Sequence, residues 1–146
     1  MNRFTIRAAI FLTAILGSTL AIGSDHPAHE RHELMEGVRE AAKPVGAMLR
    51  GDLEYDAEQV MQSLDVWSAA ASEFGGLFPE GSEGGEAAPA IWQDRAGFEA
   101  ALAKWADAIA AAKAASPATL EEARPVIGPA FNACKNCHDS YRIEQE

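Results

Sequence analysis

The only two cysteines of the chain lie in one short motif near the end of the sequence, Cys134-Lys135-Asn136-Cys137-His138. In a helix that turns about 100° per residue, Cys134, Cys137 and His138 share one face. A face with three chemically reactive side chains cannot serve as ordinary apolar core. The rest of the chain therefore has to fold so that it covers this face together with whatever the face binds.

Two thiols followed directly by an imidazole are the attachment signature of c-type haem. Each thiol adds to one vinyl group of the porphyrin, and the imidazole reaches the iron. Other uses of the motif fit less well: a disulfide is awkward within a regular helix, a thioredoxin-like pair needs a βαβ setting, and zinc needs a fourth ligand. We therefore expect one covalent haem c on Cys134 and Cys137, with His138 as the proximal iron ligand.

The first 23 residues have the features of a secretory signal peptide. Arg3 and Arg7 supply positive charge, residues 8–16 are apolar, and a small-x-small cleavage site ends at Gly23. An uncleaved membrane anchor is the alternative, but the apolar run is short and interrupted. We expect cleavage near Gly23 and a mature domain of residues 24–146 in the periplasm, without a stable membrane anchor. Haem attachment outside the bacterial inner membrane agrees with export.

The chain is acidic, with a formal net charge of −10. Loss of Arg3 and Arg7 with the signal peptide leaves ten basic and twenty-two acidic residues, a net charge of −12. Such a surface repels nucleic acid and anionic lipid, and it suits a basic redox partner protein.

Helical periodicity without strand-like alternation runs through the mature part. It predicts four helices, over residues 27–50, 56–74, 90–115 and from Ser116-Pro117 to about 142. Asp56 and Ser116 are the predicted N-caps of the second and fourth helices. Four amphipathic helices with mostly short links predict an all-α fold, an antiparallel four-helix bundle.

Prolines and glycines mark the expected irregularities. Pro44 predicts a bend or weak point in the first helix, and Pro125 and Pro129 predict an interrupted start of the fourth, regular only from about Val126. The segment 75–89 is rich in glycine and proline, which predicts a long loop without regular structure.

A second axial iron ligand has to come from upstream, because no methionine follows the cysteine motif. The candidates are Met35, Met48, Met61, His26, His29 and His32. Met35 is favoured because it lies deep in the first helix on its apolar face, where it can face the fourth helix across the haem. A helical methionine is also common core filling, so both interpretations stay open. The three histidines can bind a transition metal or form a solvated polar end, and the latter is favoured.

The chain resembles the class II cytochrome c family, which includes cytochrome c′ and the low-spin cytochrome c-556. The resemblance covers essentially all of the mature chain and is carried by residues 31–35, the loop 78–85, residues 89–92 and residues 134–142. It implies a left-handed bundle in the periplasm with haem bound to the fourth helix. Homodimerisation through the first two helices is common in this family.

The resemblance also implies individual roles. Arg31 matches an arginine near the haem edge that can pair with a propionate, and Arg142 matches a basic residue one turn beyond His138, near the proximal side. Met35 falls at the distal position, which holds an iron-bound methionine in cytochrome c-556 and in most cytochromes c′ an apolar residue that leaves the iron five-coordinate. The distal wall inferred from this match offers no hydrogen-bond donor for bound dioxygen and consists of Leu34, Met35, Val38 and Phe78.

Three functions are compatible with these observations. Ligation by His138 and Met35 saturates the iron and favours electron transfer. An unligated Met35 leaves an apolar distal face that admits neutral gases such as nitric oxide or carbon monoxide. A haem-free structural or metal-binding bundle is the third. We expect the electron carrier, and no enzyme, since no catalytic triad, phosphate loop or paired-carboxylate motif is evident.

Overall fold

The computed structural model describes residues 25–143, so the predicted signal peptide lies outside the described residues. Within this range the α-helices are α1 (Asp25–Arg50), α2 (Ala57–Glu73), α3 (Ala90–Gln93), α4 (Arg95–Ala115) and α5 (Leu120–Tyr141). The described part has no β-strand, although an isolated antiparallel bridge joins Ala87 to Arg142. No helix among these has the length and apolar character needed to span a bilayer.

The four long helices form an all-α antiparallel bundle, as predicted from the sequence. Helix α1 packs on α2, α2 packs on α4, and α4 packs most extensively on α5. The fourth neighbouring pair, α5 and α1, has the least backbone contact of the four. The interface between α1 and α5 is therefore the place in the bundle where a bound group would displace the fewest backbone contacts.

Buried side chains form two clusters. The main core lies along the bundle and includes Val45, Leu64, Trp67, Trp105 and Ile127. The aromatic core lies beside the 75–89 loop and consists of Phe74, Phe78, Ile91 and Phe98. Complete burial of one such side chain contributes roughly 1.5–3 kcal/mol, so both clusters hold the helices together.

Helix termini follow local capping chemistry. The predicted N-cap Asp56 is confirmed, because its carboxylate accepts a hydrogen bond of 3.0 Å from the backbone N–H of Gln59. The predicted N-cap Ser116 is wrong: Ser116 has φ 43° and ends α4. Helix α5 starts three residues later, where the Thr119 hydroxyl accepts from the Glu122 N–H and the Glu122 carboxylate accepts from the N–H of residue 118. These two bonds resemble a capping box, except that Glu122 reaches the N–H before the N-cap rather than that of Thr119 itself, and they fix the later start.

The third predicted helix is broken near its beginning. Asp94 separates α3 from α4, with φ −126° and ψ 63°, and its carboxylate accepts a hydrogen bond of 3.1 Å from Gly97 N. A single helix over residues 90–115 is therefore wrong, because the Asp94 side chain replaces a helical hydrogen bond with a cap.

Prolines interrupt the helices less than the sequence suggests. Helix α5 runs continuously through Pro125 and Pro129, so its predicted irregular first half is wrong, and α1 also continues through Pro44. Each proline lacks one backbone donor, but fully buried neighbours such as Ile127 and Ala130 hold α5 in place. The 75–89 segment is a loop as predicted, except that a 3₁₀ turn, Phe74–Leu77, covers its first residues.

One hydrogen bond joins the two inter-helix connections at the same end of the bundle. The Tyr55 hydroxyl donates to the Pro117 carbonyl at 2.7 Å, and burial raises the pKa of Tyr55 above its usual value of 10.0. The phenol is therefore held in its neutral, donating form.

We expect Tyr55→Phe to lower the free energy of unfolding at neutral pH by about 1 kcal/mol, through loss of this hydrogen bond. Since the folded pKa is raised, the contribution of Tyr55 is complete below pH 10 and is lost as the pH rises through the folded pKa. Urea unfolding of both proteins at neutral pH and near pH 11 measures the difference. A difference that did not shrink at the higher pH would contradict the raised pKa.

Candidate haem site

Helix α5 presents Cys134, Cys137 and His138 on one half-buried face, which we call the attachment face. The two thiols are not joined in a disulfide. Cys134 packs against the main core and Cys137 against the aromatic core. The attachment face therefore lies at the seam between the two cores rather than inside either of them.

Burial keeps the groups on this face uncharged. It raises the pKa of the Cys134 thiol to about 11, an effect to which the charge of Cys137 adds, and it also raises the pKa of Cys137. Burial lowers the pKa of His138, and the charge of Arg142 lowers it further. The imidazole is therefore neutral near pH 7, which is the form that binds metals.

A buried donor beside the attachment face has no partner. The indole Nε1–H of Trp105 is buried without a hydrogen-bond acceptor among the described residues. It lies near the Cys134 thiol and lowers the pKa of that thiol, against the larger effect of burial. The contact does not meet the geometry of a hydrogen bond. An orphaned N–H next to an attachment thiol is unusual for a finished core and fits a site completed by another group.

Helix α1 contributes Leu34 and Met35 to the seam. Both are half-buried, and each contacts the main core as well as the aromatic core. Among the other upstream candidates, Met48 is buried in the main core, Met61 packs on the main core alone, and His29 and His32 are exposed. The structure thus brings Met35 to the same seam as the two cysteines.

Among the side chains that the structure describes, the histidines near the start of α1 form no metal centre. His29 and His32 are exposed, and the described residues contain no group of three His, Cys, Asp or Glu side chains able to hold an ion. The side chain of His26 lies outside what the structure describes.

Arg31 has other partners than the propionate that the family resemblance implies. It is only 6% exposed, and four hydrogen bonds occupy both terminal amino groups. Their acceptors all lie in the 75–89 loop: Leu77 O (2.8 Å), Ser82 Oγ (3.4 Å), Ser82 O (2.9 Å) and Gly84 O (3.1 Å). Among the described residues only Nε–H is left without an acceptor, so a propionate could gain at most one hydrogen bond from this side chain.

Phe78 is fixed at the inner side of the 75–89 loop. It is 4% exposed, and its ring lies edge-on to Phe74 and Phe98, with centroids 5.0 and 4.8 Å away. The Arg31 guanidinium lies over the ring at 4.8 Å from its centroid, within the range of a cation–π contact. Phe78 therefore connects the Arg31 anchor to the aromatic core, which also contacts Cys137.

Two further side chains that sequence analysis missed fasten the same loop. Arg95 donates to Phe78 O at 2.9 Å and to Gly75 O at 3.3 Å, and Trp92 Nε1 donates to Pro79 O at 3.1 Å. Their donor groups give no sequence signal, because their acceptors are backbone carbonyls whose direction depends on the loop conformation.

The far end of the 75–89 loop is tied to the end of α5. Ala88 N donates to Tyr141 O at 3.0 Å, and Ile143 N donates to Glu86 O at 2.8 Å. Arg142, predicted to lie near the proximal side, is exposed, and its backbone N–H donates to His138 O at 3.1 Å. Its guanidinium is close enough for its charge to lower the pKa of His138.

Tyr141 links the attachment helix to the start of α4. Its hydroxyl donates to Asp94 Oδ2 at 3.2 Å, while Asp94 Oδ1 caps Gly97 N. A Cβ at Gly97 would overlap the Asp94 carboxylate and the Tyr141 hydroxyl, so only glycine fits there. The Asp94 break in the third predicted helix thus serves to hold the end of α5.

The residues at the seam fit a covalently attached haem. Two free thiols and a neutral imidazole lie on one face, a thioether of α1 packs on the same two cores as the thiols, and the surrounding side chains are apolar. Thiols, imidazole and thioether are the donor set of c-type haem with two axial protein ligands. The orphaned N–H of Trp105 adds a donor beside the attachment point.

Comparison with known proteins points to one family. The family model described as Cytochrome C′ matches residues 26–142. The chain is 35% identical to cytochrome c′ of Rhodopseudomonas palustris over 94% of its own length and 96% of the relative. It is 32% identical to cytochrome c-556 of Agrobacterium fabrum over 99% of both chains. A nitric oxide complex of a cytochrome c prime variant from Alcaligenes xylosoxidans superposes with a TM-score of 0.76 at 27% identity, covering 84% of this chain and 98% of that one.

We expect Gly97→Ala to destabilise the protein by about 1–2 kcal/mol, although alanine favours helix, because the new methyl group breaks the Asp94 cap and the Tyr141 hydrogen bond. Gly37→Ala is the matched control, since a Cβ there has open space within α1 and should stabilise by roughly 0.5–1 kcal/mol. Thermal unfolding of the holoproteins measures both changes. Equal effects of the two substitutions would show that the Asp94–Tyr141 contact does not hold α5.

We expect exported protein made with the haem-attachment machinery to carry one haem that survives denaturation, and Cys134→Ala/Cys137→Ala to carry none. The reason is that the thiols supply the only covalent links to the porphyrin. Intact-protein mass spectrometry with haem staining of a denaturing gel detects both results. Wild-type protein with the mass of the polypeptide alone would rule out the site.

Proposed function

Because the chain belongs to the cytochrome c′ family, we propose that it is a periplasmic mono-haem electron carrier whose iron is bound by His138 and Met35. Its cofactor is haem c, which supplies reversible one-electron redox chemistry when bound. Cys134 and Cys137 would hold the porphyrin, and the protein would turn over no substrate.

One observation carries this proposal, namely the position of Met35. It lies on α1 at the seam where the attachment face meets the two cores, and it is the upstream methionine that contacts both of them. Met48 and Met61 contact the main core alone. A thioether is a soft ligand that can bind haem iron, so the surroundings of Met35 support it, rather than Met48 or Met61, as the second ligand.

The surroundings of the seam suit electron transfer rather than chemistry at the iron. Leu34, Val38 and Phe78 are apolar, and both amino groups of Arg31 are occupied by the loop. The walls therefore exclude water and offer few donors to a bound oxygen species. With His138 and Met35 both bound, the iron would have no open coordination position, so electron exchange would require little rearrangement.

We place the protein in the periplasm on the strength of its N-terminal segment. Cleavage near Gly23 would release a mature chain of residues 24–146, and the family model begins at residue 26. The mature net charge of −12 suits docking to a basic redox partner.

Gas binding is the second candidate function. A solved relative from Alcaligenes xylosoxidans is a complex with nitric oxide, and the apolar seam of the present chain would admit a small neutral molecule. In that case Met35 would fill space beside the haem without binding iron.

We expect Met35→Leu to convert a low-spin spectrum into a high-spin one and to lower the midpoint potential by on the order of 0.1 V, because leucine keeps the volume but removes the sulfur ligand. Met61→Leu is the matched control and should leave spectrum and potential unchanged. Absorption spectra and redox titration of the holoproteins measure these changes. A high-spin wild-type spectrum that Met35→Leu leaves unaltered would favour the gas-binding function instead.

A further inference from the structure

We infer that Arg31 is a positioning residue that, by fastening the 75–89 loop to α1, holds the distal wall against the attachment face of α5 and limits ligand access to the haem. The inference rests on the haem site of the proposed function. It does not require Met35 to be an iron ligand, because the wall restricts access in either coordination state.

The argument starts from the way α1 and α5 are connected. Among the neighbouring pairs, these two helices have the least direct backbone contact. Near the start of α5 they are joined directly, because the Arg124 guanidinium donates to Leu49 O at 3.1 Å. Beside the attachment face, at the other end of α5, another element can supply the connection. The 75–89 loop does so, because it is bonded to α1 at one point and to the end of α5 at another.

At the α1 end, the described hydrogen bonds to the loop come from Arg31, while Leu34 and Met35 pack on the aromatic core that includes Phe78. Arg31 makes four hydrogen bonds to loop residues, and it lies one helical turn before Met35. At the α5 end, the backbone bonds Ala88 N to Tyr141 O and Ile143 N to Glu86 O begin three residues after His138. The loop therefore runs from the helix of the distal wall to the helix of the proximal ligand.

The chemistry of Arg31 is that of an anchor rather than of an ion pair. Among the described residues its partners are carbonyl oxygens, one hydroxyl and the faces of Phe78 and Trp92, and no carboxylate contributes to the shift of its pKa. A planar guanidinium can satisfy four such acceptors at once, whereas an ammonium group cannot reproduce the fork. Lysine should therefore fail to replace it, although lysine preserves the charge.

The experiment compares holoprotein variants Arg31→Gln, Arg31→Lys and Arg39→Gln. Arg39 is the matched control, an exposed arginine on the same helix that pairs with Glu36. Two measurements are made: carbon monoxide association to the reduced protein by flash photolysis, and hydrogen exchange of the 75–89 peptide. Circular dichroism and thermal unfolding establish that each variant is folded.

We expect both Arg31 variants to bind carbon monoxide about tenfold faster and to exchange the loop amides about tenfold faster than wild type. Arg39→Gln should match wild type in both measurements. Rescue by lysine would show that charge, for example toward a propionate, is what matters, and would overturn the inference. Unchanged carbon monoxide association in Arg31→Gln would overturn it as well.

The result is separable from the coordination of the iron. If the wild type is low-spin and the Arg31 variants bind carbon monoxide at the wild-type rate, the inference fails and Met35 ligation is still supported. If the wild type is high-spin and the Arg31 variants bind carbon monoxide faster, the inference is supported and Met35 ligation fails. If Arg31→Gln does not fold, Ser82→Ala takes its place, because it removes only the contacts of the Ser82 hydroxyl. We expect this variant to bind carbon monoxide faster than wild type, by a smaller factor than the Arg31 variants. An unchanged association rate in Ser82→Ala would count against the inference.

Discussion

The structure depends on one constraint: a single face of α5 has to carry both thiols and the imidazole at a place where another group can reach them. Helix α4 is the most extensive neighbour of α5, and Ala123, Ile127 and Ala130, which continue the face of Cys134 toward the start of the helix, are completely buried. The attachment face is left at a seam between two cores, each of which contacts one of the cysteines. A flat apolar group bound at this seam would contact both cores.

The buried charge of Arg31 fits the same logic. Removing a charged group from water costs several kcal/mol unless hydrogen bonds replace those it loses. Arg31 recovers these bonds from carbonyls in the 75–89 loop, so the loop is held in a defined conformation although its sequence is rich in glycine. Burial of the Arg31 charge and the order of the loop therefore depend on each other. The loop carbonyls replace the hydrogen bonds that the guanidinium loses with water, and the guanidinium fixes the conformation of the loop.

Sequence reasoning reached the cofactor and the bundle because both depend on local spacing. The C-x-x-C-H motif and the helical periodicity are readable without any long-range contact, and so is the Asp56 cap. The starts of α4 and α5 were missed because a second capping residue was available in each case. Asp94 caps α4 where the periodicity predicted an unbroken helix, and Thr119 caps α5 in place of the predicted Ser116. Pro125 and Pro129 misled for a similar reason, since packing outweighed the loss of one hydrogen bond each.

The long loop shows where such reasoning ends. Its composition excludes a long helix or strand, but composition does not tell which side chains will bind its carbonyls. Arg31, Trp92 and Arg95 come from three different helices and meet only in the folded chain. Their shared target could be inferred only from the structure, because donors to backbone carbonyls carry no pattern in sequence.

The family contains both cytochromes c′ and cytochromes c-556 among the relatives of this chain, at similar identity. Overall fold and attachment motif therefore do not decide how the distal side is used. On the distal side, a thioether such as that of Met35 can either bind the iron or fill space beside it. In this chain the 75–89 loop is bonded to α1 through Arg31 and to the end of α5 through backbone hydrogen bonds, so contacts outside the attachment face bear on how open the distal side is in either case.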